Sequence, residues 1–384
     1  MSPSAKQLLA ELRQQIPEVS TAEVKASNGR TIIDVREAEE FRQGYIPGAI
    51  SIPRGFLELR IEDKIPDRGQ PLVLYCAGGN RSLLAAHNLR ALGYTNVVSM
   101  RGGFNEWKLS GLPFEIPETL SETQRKRYDR HLLVPEIGEK GQLKLLKSKV
   151  LLIGAGGLGC PAAIYLAAAG VGTIGIVDND RVDESNLQRQ ILHSTANVGK
   201  QKVDSAKEAL LAQNPTIRVN TYAERITAAN AARIVAGYDL VVDGTDNFTT
   251  RYLMNDACVL LRKPNVYGSV FRFEGQVSLF DPTAADSPCY RCLYPEPTPS
   301  ELAPSCQDAG VLGILPGTIG LLQAAEAVKW ILGIGETLAG RLLWYDALKS
   351  TFRIFRLRKN PRCPVCSDQP TITKLEDLEW ACQL

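Results

Sequence analysis

Histidine is scarce in this chain. There are three in 384 residues, His87, His131 and His193, and none sits in a nucleophile motif. A Ser–His–Asp hydrolase therefore has nothing to rest on. Surplus charge is lacking too: Lys plus Arg number 44 against 42 Asp plus Glu, a net charge of +2, with no block of like charge. That balance excludes a nucleic-acid binder that works by bulk positive charge. The opening stretch MSPSAKQLLAELRQQ is a short amphipathic helix pattern without the apolar core of a signal peptide. One charge-free run exists, from Val150 to Val177, but it contains seven glycines and Pro161. A strand, a turn, a buried helix and a second strand explain it better than a membrane span. The expectation is a cytoplasmic protein with neither membrane nor nucleic acid as partner. Nine cysteines, an odd number, point to thiol or metal chemistry and not to a disulfide framework.

What is present is a strand–helix alternation in two blocks. TIIDV, PLVLY and NVVSM read as strands separated by helical patterns, which predicts a small parallel α/β domain over residues 1–117. GLPFEIPETLS supplies a proline-bearing linker. Residues 118–384 begin with KVLLI, TIGIVD, RVNTYAE and DLVVDGTD as strands with helices between them, the rhythm of a doubly wound sheet. After Asn265 the pattern changes to NVYGSVFRFEGQVSLF and RLLWYDALKSTFRIFRLRK, read as strands around a helix over Gly317–Leu332. The proline-rich YPEPTPSELAPSC reads as a mobile crossing segment.

Cys76 ends the strand PLVLY, and two glycines, an asparagine and an arginine follow before a helical pattern starts about six residues on. Glycines at 78 and 79 let the loop turn backbone N–H groups inward. A helix N-terminus adds partial positive charge and Arg81 a full one. Such a cup should lower a thiol pKa from about 8.5 toward roughly 4–7 and hold a thiolate or persulfide. The span from Thr31 to Trp107 resembles a rhodanese, a sulfurtransferase domain, through DVRE, FRQGYIPGA, CAGGNRS and RGGFNEW. The resemblance implies that Cys76 carries a transferable sulfur. Tyr45 departs from the pattern, since members often have histidine there.

VLLIGAGGLG puts Gly154, Gly156 and Gly159 at dinucleotide-fingerprint spacing after a strand, with Asp178 about 20 residues on. Alone this would suggest NAD. Asn186 and Arg189 in SNLQRQ, Lys202 in GKQKVDSAK, and Asp246 with Asn247 in GTDN are extra. Two additional cations and a carboxylate suit ATP and Mg²⁺, where charge develops on the α-phosphate and pyrophosphate. RYDRH, GAGGLGCPAA, SNLQRQ, TDN, EGQ and CYRC are similar to the ubiquitin-activating-enzyme-like adenylyltransferases of the MoeB/ThiF branch, over roughly Ser121–Asp368. Members adenylate the C-terminal glycine of a small ubiquitin-like sulfur carrier ending in Gly-Gly. That resemblance makes Gly157, Asp178 with Asp180, Ser185, Asn186, Leu187, Gln188, Arg189, Lys202, Asp246 and Asn247 the ATP site. It makes Arg130 an arginine lent across a homodimer, and Cys306 a cysteine that bonds to the carrier in some relatives.

Two C-x-x-C knuckles remain, Cys289/Cys292 and Cys363/Cys366. Together they can close a structural Cys₄ zinc site with no open position for substrate. Cys160 and Cys258 lie in apolar helical sequence and are expected in the core. The combined reading is an α/β enzyme: a rhodanese-like domain followed by a Rossmann-like adenylyltransferase domain with a zinc site. It adenylates a sulfur carrier, with a molybdopterin-pathway carrier favoured and thiamine, cysteine or tRNA-thiolation carriers as alternatives. Sulfur then passes from Cys76, itself loaded by a persulfide donor such as a cysteine desulfurase. Two rivals stand beside it, an NAD-dependent oxidoreductase and a non-catalytic module that docks ubiquitin-like folds.

Overall fold

A computed structural model describes residues 4–27, 29–296 and 310–377. The chain divides into two compact units, Met1–Thr119 and Leu120–Leu384. Both are α/β.

The first unit is one parallel sheet of β1 (Glu18–Val19), β2 (Thr31–Asp34), β3 (Ile50–Ser51), β4 (Leu72–Tyr75) and β5 (Val97–Met100), in the order β1-β5-β4-β2-β3. LVLY of β4 is fully buried, as an apolar run at the centre of a sheet covered on both faces must be. Helix Ala5–Gln15 opens on a capping box in which Ser4 and Gln7 satisfy each other's backbone N–H. Ser20 and Glu23 do the same for helix Thr21–Ala26. The strand order reverses between β2 and β4, the position at which open α/β sheets place their ligands. Cys76 lies at that point.

The second unit is an eight-stranded sheet: β6 (Lys149–Ile153), β7 (Thr173–Val177), β8 (Arg218–Tyr222), β9 (Leu240–Asp243), β10 (Asn265–Phe271), β11 (Glu274–Phe280), β12 (Arg341–Asp346) and β13 (Thr351–Arg356). Their order is β13-β12-β11-β10-β9-β6-β7-β8. The five strands from β8 to β10 are parallel, and β10 to β13 pair antiparallel. Helix Gly159–Ala169 is apolar nearly all round and buried against the sheet, which explains the charge-free stretch. No helix among the described residues is long and apolar enough to cross a membrane. Here the reversal falls between β6 and β9. The helix expected over Gly317–Leu332 begins earlier, at Ile314, and accommodates Pro316 in its first turn, where no N–H is needed.

Candidate functional site

In the first unit the Cys76 thiol is 2% exposed. It accepts a hydrogen bond from the Gly79 N–H at 3.1 Å, and the Ser82 hydroxyl stands 3.7 Å away. Gly79 adopts φ 93°, a left-handed conformation that costs a glycine little, and caps helix Asn80–Ala91. That helix starts four residues after the cysteine, closer than the sequence suggested, so its first turn faces the sulfur directly. Arg81 differs from expectation in a second way. Its guanidinium is bound bidentately to Glu40, two bonds of 2.7 Å, half-exposed on both sides. Glu40 raises the Arg81 pKa, and Cys76 contributes less. Much of the arginine's charge is thus already answered, and the backbone carries more of the cup's polarity.

The other motifs of this unit are braces. Asp34 and Arg36 of DVRE form a buried ion pair with a shortest distance of 2.5 Å, and Arg36 also donates to the Gly44 carbonyl and stacks over Phe104. Gly102 and Gly103 of RGGF are both left-handed. A side chain at Gly103 would collide with the backbone of Cys76 and Ala77. Without one, Phe104 and Asn105 donate to the carbonyls of Cys76 and Ala77 at 2.7 and 3.0 Å. Tyr45 bonds Glu115 at 2.6 Å.

In the second unit a cavity of about 380 Å³ opens at the carboxyl ends of β6, β7 and β9. Ten of the residues singled out from the sequence line it: Gly154, Gly156, Gly157, Asp178, Asp180, Asn186, Arg189, Lys202, Asp246 and Asn247. Asp178 accepts from the N–H groups of Ala155 and Asp180, both at 2.8 Å. Lys202 is 5% exposed and reaches Asp180 at 2.7 Å. Arg189 donates to the Ser185 carbonyl at 3.4 Å. Of the two aspartates in DGTD, Asp243 is buried and holds Thr245 through its Oδ1, and burial pushes its pKa up. Asp246 is exposed in the cavity. Asn247 caps helix Phe248–Leu260 by accepting from the Thr250 N–H.

Five of the singled-out residues do not line the cavity. Gly159 is packed against the Gly154 carbonyl, where no Cβ fits. Ser185 bonds Asp183. Gln188 packs on Gly313. Leu187 is half-buried between them in sequence. Arg130 projects from the short helix Asp129–Leu132 with its side chain 89% exposed. Cys306 and Cys382 lie outside the described residues. The sequence reading missed Glu224, Arg225, Ile226, Thr245 and Pro316 in the cavity wall. The first three follow β8 as Asp178 follows β7, so strand-end position was an available signal. Pro316 arrives from a distant helix and had none.

Cys289, Cys292, Cys363 and Cys366 converge with every sulfur within 4.8 Å of the others. Individual separations of 3.5 Å (Cys289–Cys363) and 3.3 Å (Cys292–Cys366) bracket, with that limit, the roughly 3.8 Å edge of a tetrahedron with 2.3 Å metal–sulfur bonds. The cluster fits a metal. Cys289 caps a short helix, Tyr290–Leu293. Cys160 and Cys258 are core residues, and burial pushes the Cys160 thiol up to about 12.

The ThiF family profile matches residues 128–365, and the rhodanese-like domain profile matches residues 18–110. The chain belongs to the ThiF family. Among curated ThiF relatives, the "Sulfur carrier protein adenylyltransferase" of Thermus thermophilus is 52% identical over 261 residues, 67% of this chain and 96% of that protein. The "Probable adenylyltransferase/sulfurtransferase MoeZ" of Mycobacterium tuberculosis is 52% identical over 270 residues, 70% of this chain and 67% of that one. "Adenylyltransferase and sulfurtransferase MOCS3" of Drosophila yakuba is 51% identical over 67% of this chain, and the match spans 56% of that protein's length. A crystal structure of E. coli MccB with AMPCPP and MccA shares the fold, with a TM-score of 0.56 at 24% identity, over 65% of this chain and 75% of that one.

Proposed function

We propose that the second unit adenylates the C-terminal glycine of a ubiquitin-like sulfur carrier and that the first unit supplies the sulfur. The single observation that carries this reading is the cavity combining a glycine loop, Asp178, Arg189, Lys202 and Asp246 at a strand-order reversal. The names of the relatives support it. A molybdopterin-type carrier is the first to test.

In the first step the carrier carboxylate attacks the α-phosphate of ATP, the bond to the β-phosphate oxygen breaks, and pyrophosphate leaves an acyl-adenylate. Gly156 and Gly157 present a helix N-terminus to phosphate. Asp178 is placed for a ribose hydroxyl. Lys202 and Arg189 neutralise charge developing on the transferring phosphate oxygens. Asp246 is the carboxylate that would hold Mg²⁺, which shields phosphate charge when bound.

In the second step the terminal sulfur of a Cys76 persulfide attacks the acyl carbon. The bond to the phosphate oxygen of AMP breaks, leaving an acyl disulfide. An attacking thiol then forms a disulfide with the Cys76 sulfur and releases the carrier thiocarboxylate. Cys306 or a small-molecule thiol serves as that nucleophile. Zinc is the metal assigned to the four cysteines, Arg130 serves a partner subunit of a homodimer, and a cysteine desulfurase is the class of donor that reloads Cys76.

The test is ATP–pyrophosphate exchange with a β-grasp carrier ending in Gly-Gly. Carrier-dependent exchange is expected. Exchange absent with every such carrier, or tight NAD(H) binding in the same cavity, overturns the reading.

A further inference from the structure

Ala155 stands between the first two glycines of the cavity loop, and both its backbone groups are tied from behind. Its N–H donates to Asp178. Its carbonyl accepts from His193 Nε2 at 3.0 Å and from the Cys160 thiol at 3.2 Å. His193 is buried, 7% exposed, and its Nδ1 lies 3.0 Å from the Ser205 hydroxyl. A carbonyl oxygen only accepts, so Nε2 carries the hydrogen. In the neutral ring Nδ1 then accepts from Ser205.

The three attachments reach three different walls of the cavity. Ala155 belongs to the glycine loop. The backbone N–H of His193 donates to the Gln190 carbonyl at 3.0 Å, so the histidine belongs to the turn that follows Arg189. Ser205 lies one turn into helix Lys202–Gln213, which opens with the cavity lysine. We propose that His193 is a positioning residue for the nucleotide chemistry, holding the glycine loop, the arginine segment and the lysine helix in register; this rests on reading the cavity as an ATP site. Burial lowers the pKa of His193 and Lys202 adds to that effect, while the hydrogen bond to the Ala155 carbonyl and the Asp178 charge oppose it. The contacts fit a neutral Nε2–H ring, and the lowered pKa points the same way. Once its donor is gone, the side-chain donor left to the Ala155 carbonyl among the described residues is the Cys160 thiol, a weak one.

Two variants of similar size separate positioning from packing. His193→Gln keeps an N–H donor of about the same reach, and His193→Leu fills the space without one. In carrier-dependent ATP–pyrophosphate exchange, H193L is expected to raise the ATP KM about tenfold and leave the carrier KM unchanged. H193Q is expected to stay within about twofold of the parent. Nitrogen-15 NMR of the parent should show the Nε2–H tautomer at His193. Equal ATP KM values for H193L and H193Q, or the Nδ1–H tautomer, overturn the proposal. Should H193L fail to fold, Ser205→Ala replaces it: an ATP KM raised about threefold supports the proposal and an unchanged one overturns it. A parent protein that binds no ATP overturns the cavity reading instead, so the two failures are distinct.

Discussion

In each unit the proposed site lies where the strand order of a parallel sheet reverses, yet the two sites are built from different materials. Around Cys76 the polar groups are mostly backbone: the Gly79 N–H, the first turn of helix Asn80–Ala91, and a loop whose carbonyls are bound by Phe104 and Asn105. Around the cavity the glycine loop is joined by charged side chains, with Asp178, Lys202, Arg189 and Asp246 converging from four segments. One sulfur atom needs a tight, nearly closed cup, and backbone supplies donors at fixed spacing. The triphosphate proposed for the cavity is large and develops charge during the reaction, which calls for fully charged groups held in place beforehand.

The contrast can be broken from either side. The largest effect is expected from Cys76→Ala, which should abolish thiocarboxylate formation in single-turnover assays and leave carrier-dependent pyrophosphate exchange within about twofold of the parent. Sulfur transfer at the parent rate would sink the assignment. Next is Lys202→Met, which removes a cation whose partner, Asp180, is well exposed. Exchange should fall about a hundredfold, persulfide loading of Cys76 should persist, and the melting temperature should hardly move. Gly103→Ala attacks the backbone side. The added Cβ meets the Ala77 carbonyl carbon at 2.7 Å, and φ is 58°. A loss of about 2–3 kcal/mol is expected in the first unit alone, read by denaturant unfolding; the second unit should keep its exchange activity.

The smallest effect concerns pH. The folded pKa of His193 lies below its ordinary 6.5, so the unfolded chain binds the proton more readily. The neutral ring's contribution to stability is present above pH 6.5 and is lost as pH falls through the folded value. The groups facing the ring are Cys160, Ser205, Lys202 and Asp178. Urea melts between pH 5 and 7.5 should show that loss, and H193Q should flatten it.

The sequence exposed the parts of this molecule that obey local rules. Apolar runs bounded by glycine fixed KVLLI, TIGIV and LVVD as buried strands, and the two C-x-x-C pairs announced their convergence by spacing. Strand-end position located Asp178 and Asp246. The spacing of glycines found the loop but could not say that Gly159 serves packing while Gly156 and Gly157 face the cavity. Arg81 looked like a partner for the sulfur because Glu40, 41 residues earlier, is invisible to local reading. His193 was given no role for the same reason. Its ring partners Ala155 and Ser205 come from separate segments, and a lone histidine carries no periodic signal.

The two cysteine knuckles lie 74 residues apart along the chain, and β12 and β13 fall between them. With a metal in place, that stretch is a closed ring. A pull applied at the C-terminal end would pass through metal–sulfur bonds straight to Cys289 and Cys292. The antiparallel hairpin would then sit outside the line of tension, and stretching the molecule in an optical trap would release its length only after the metal had gone.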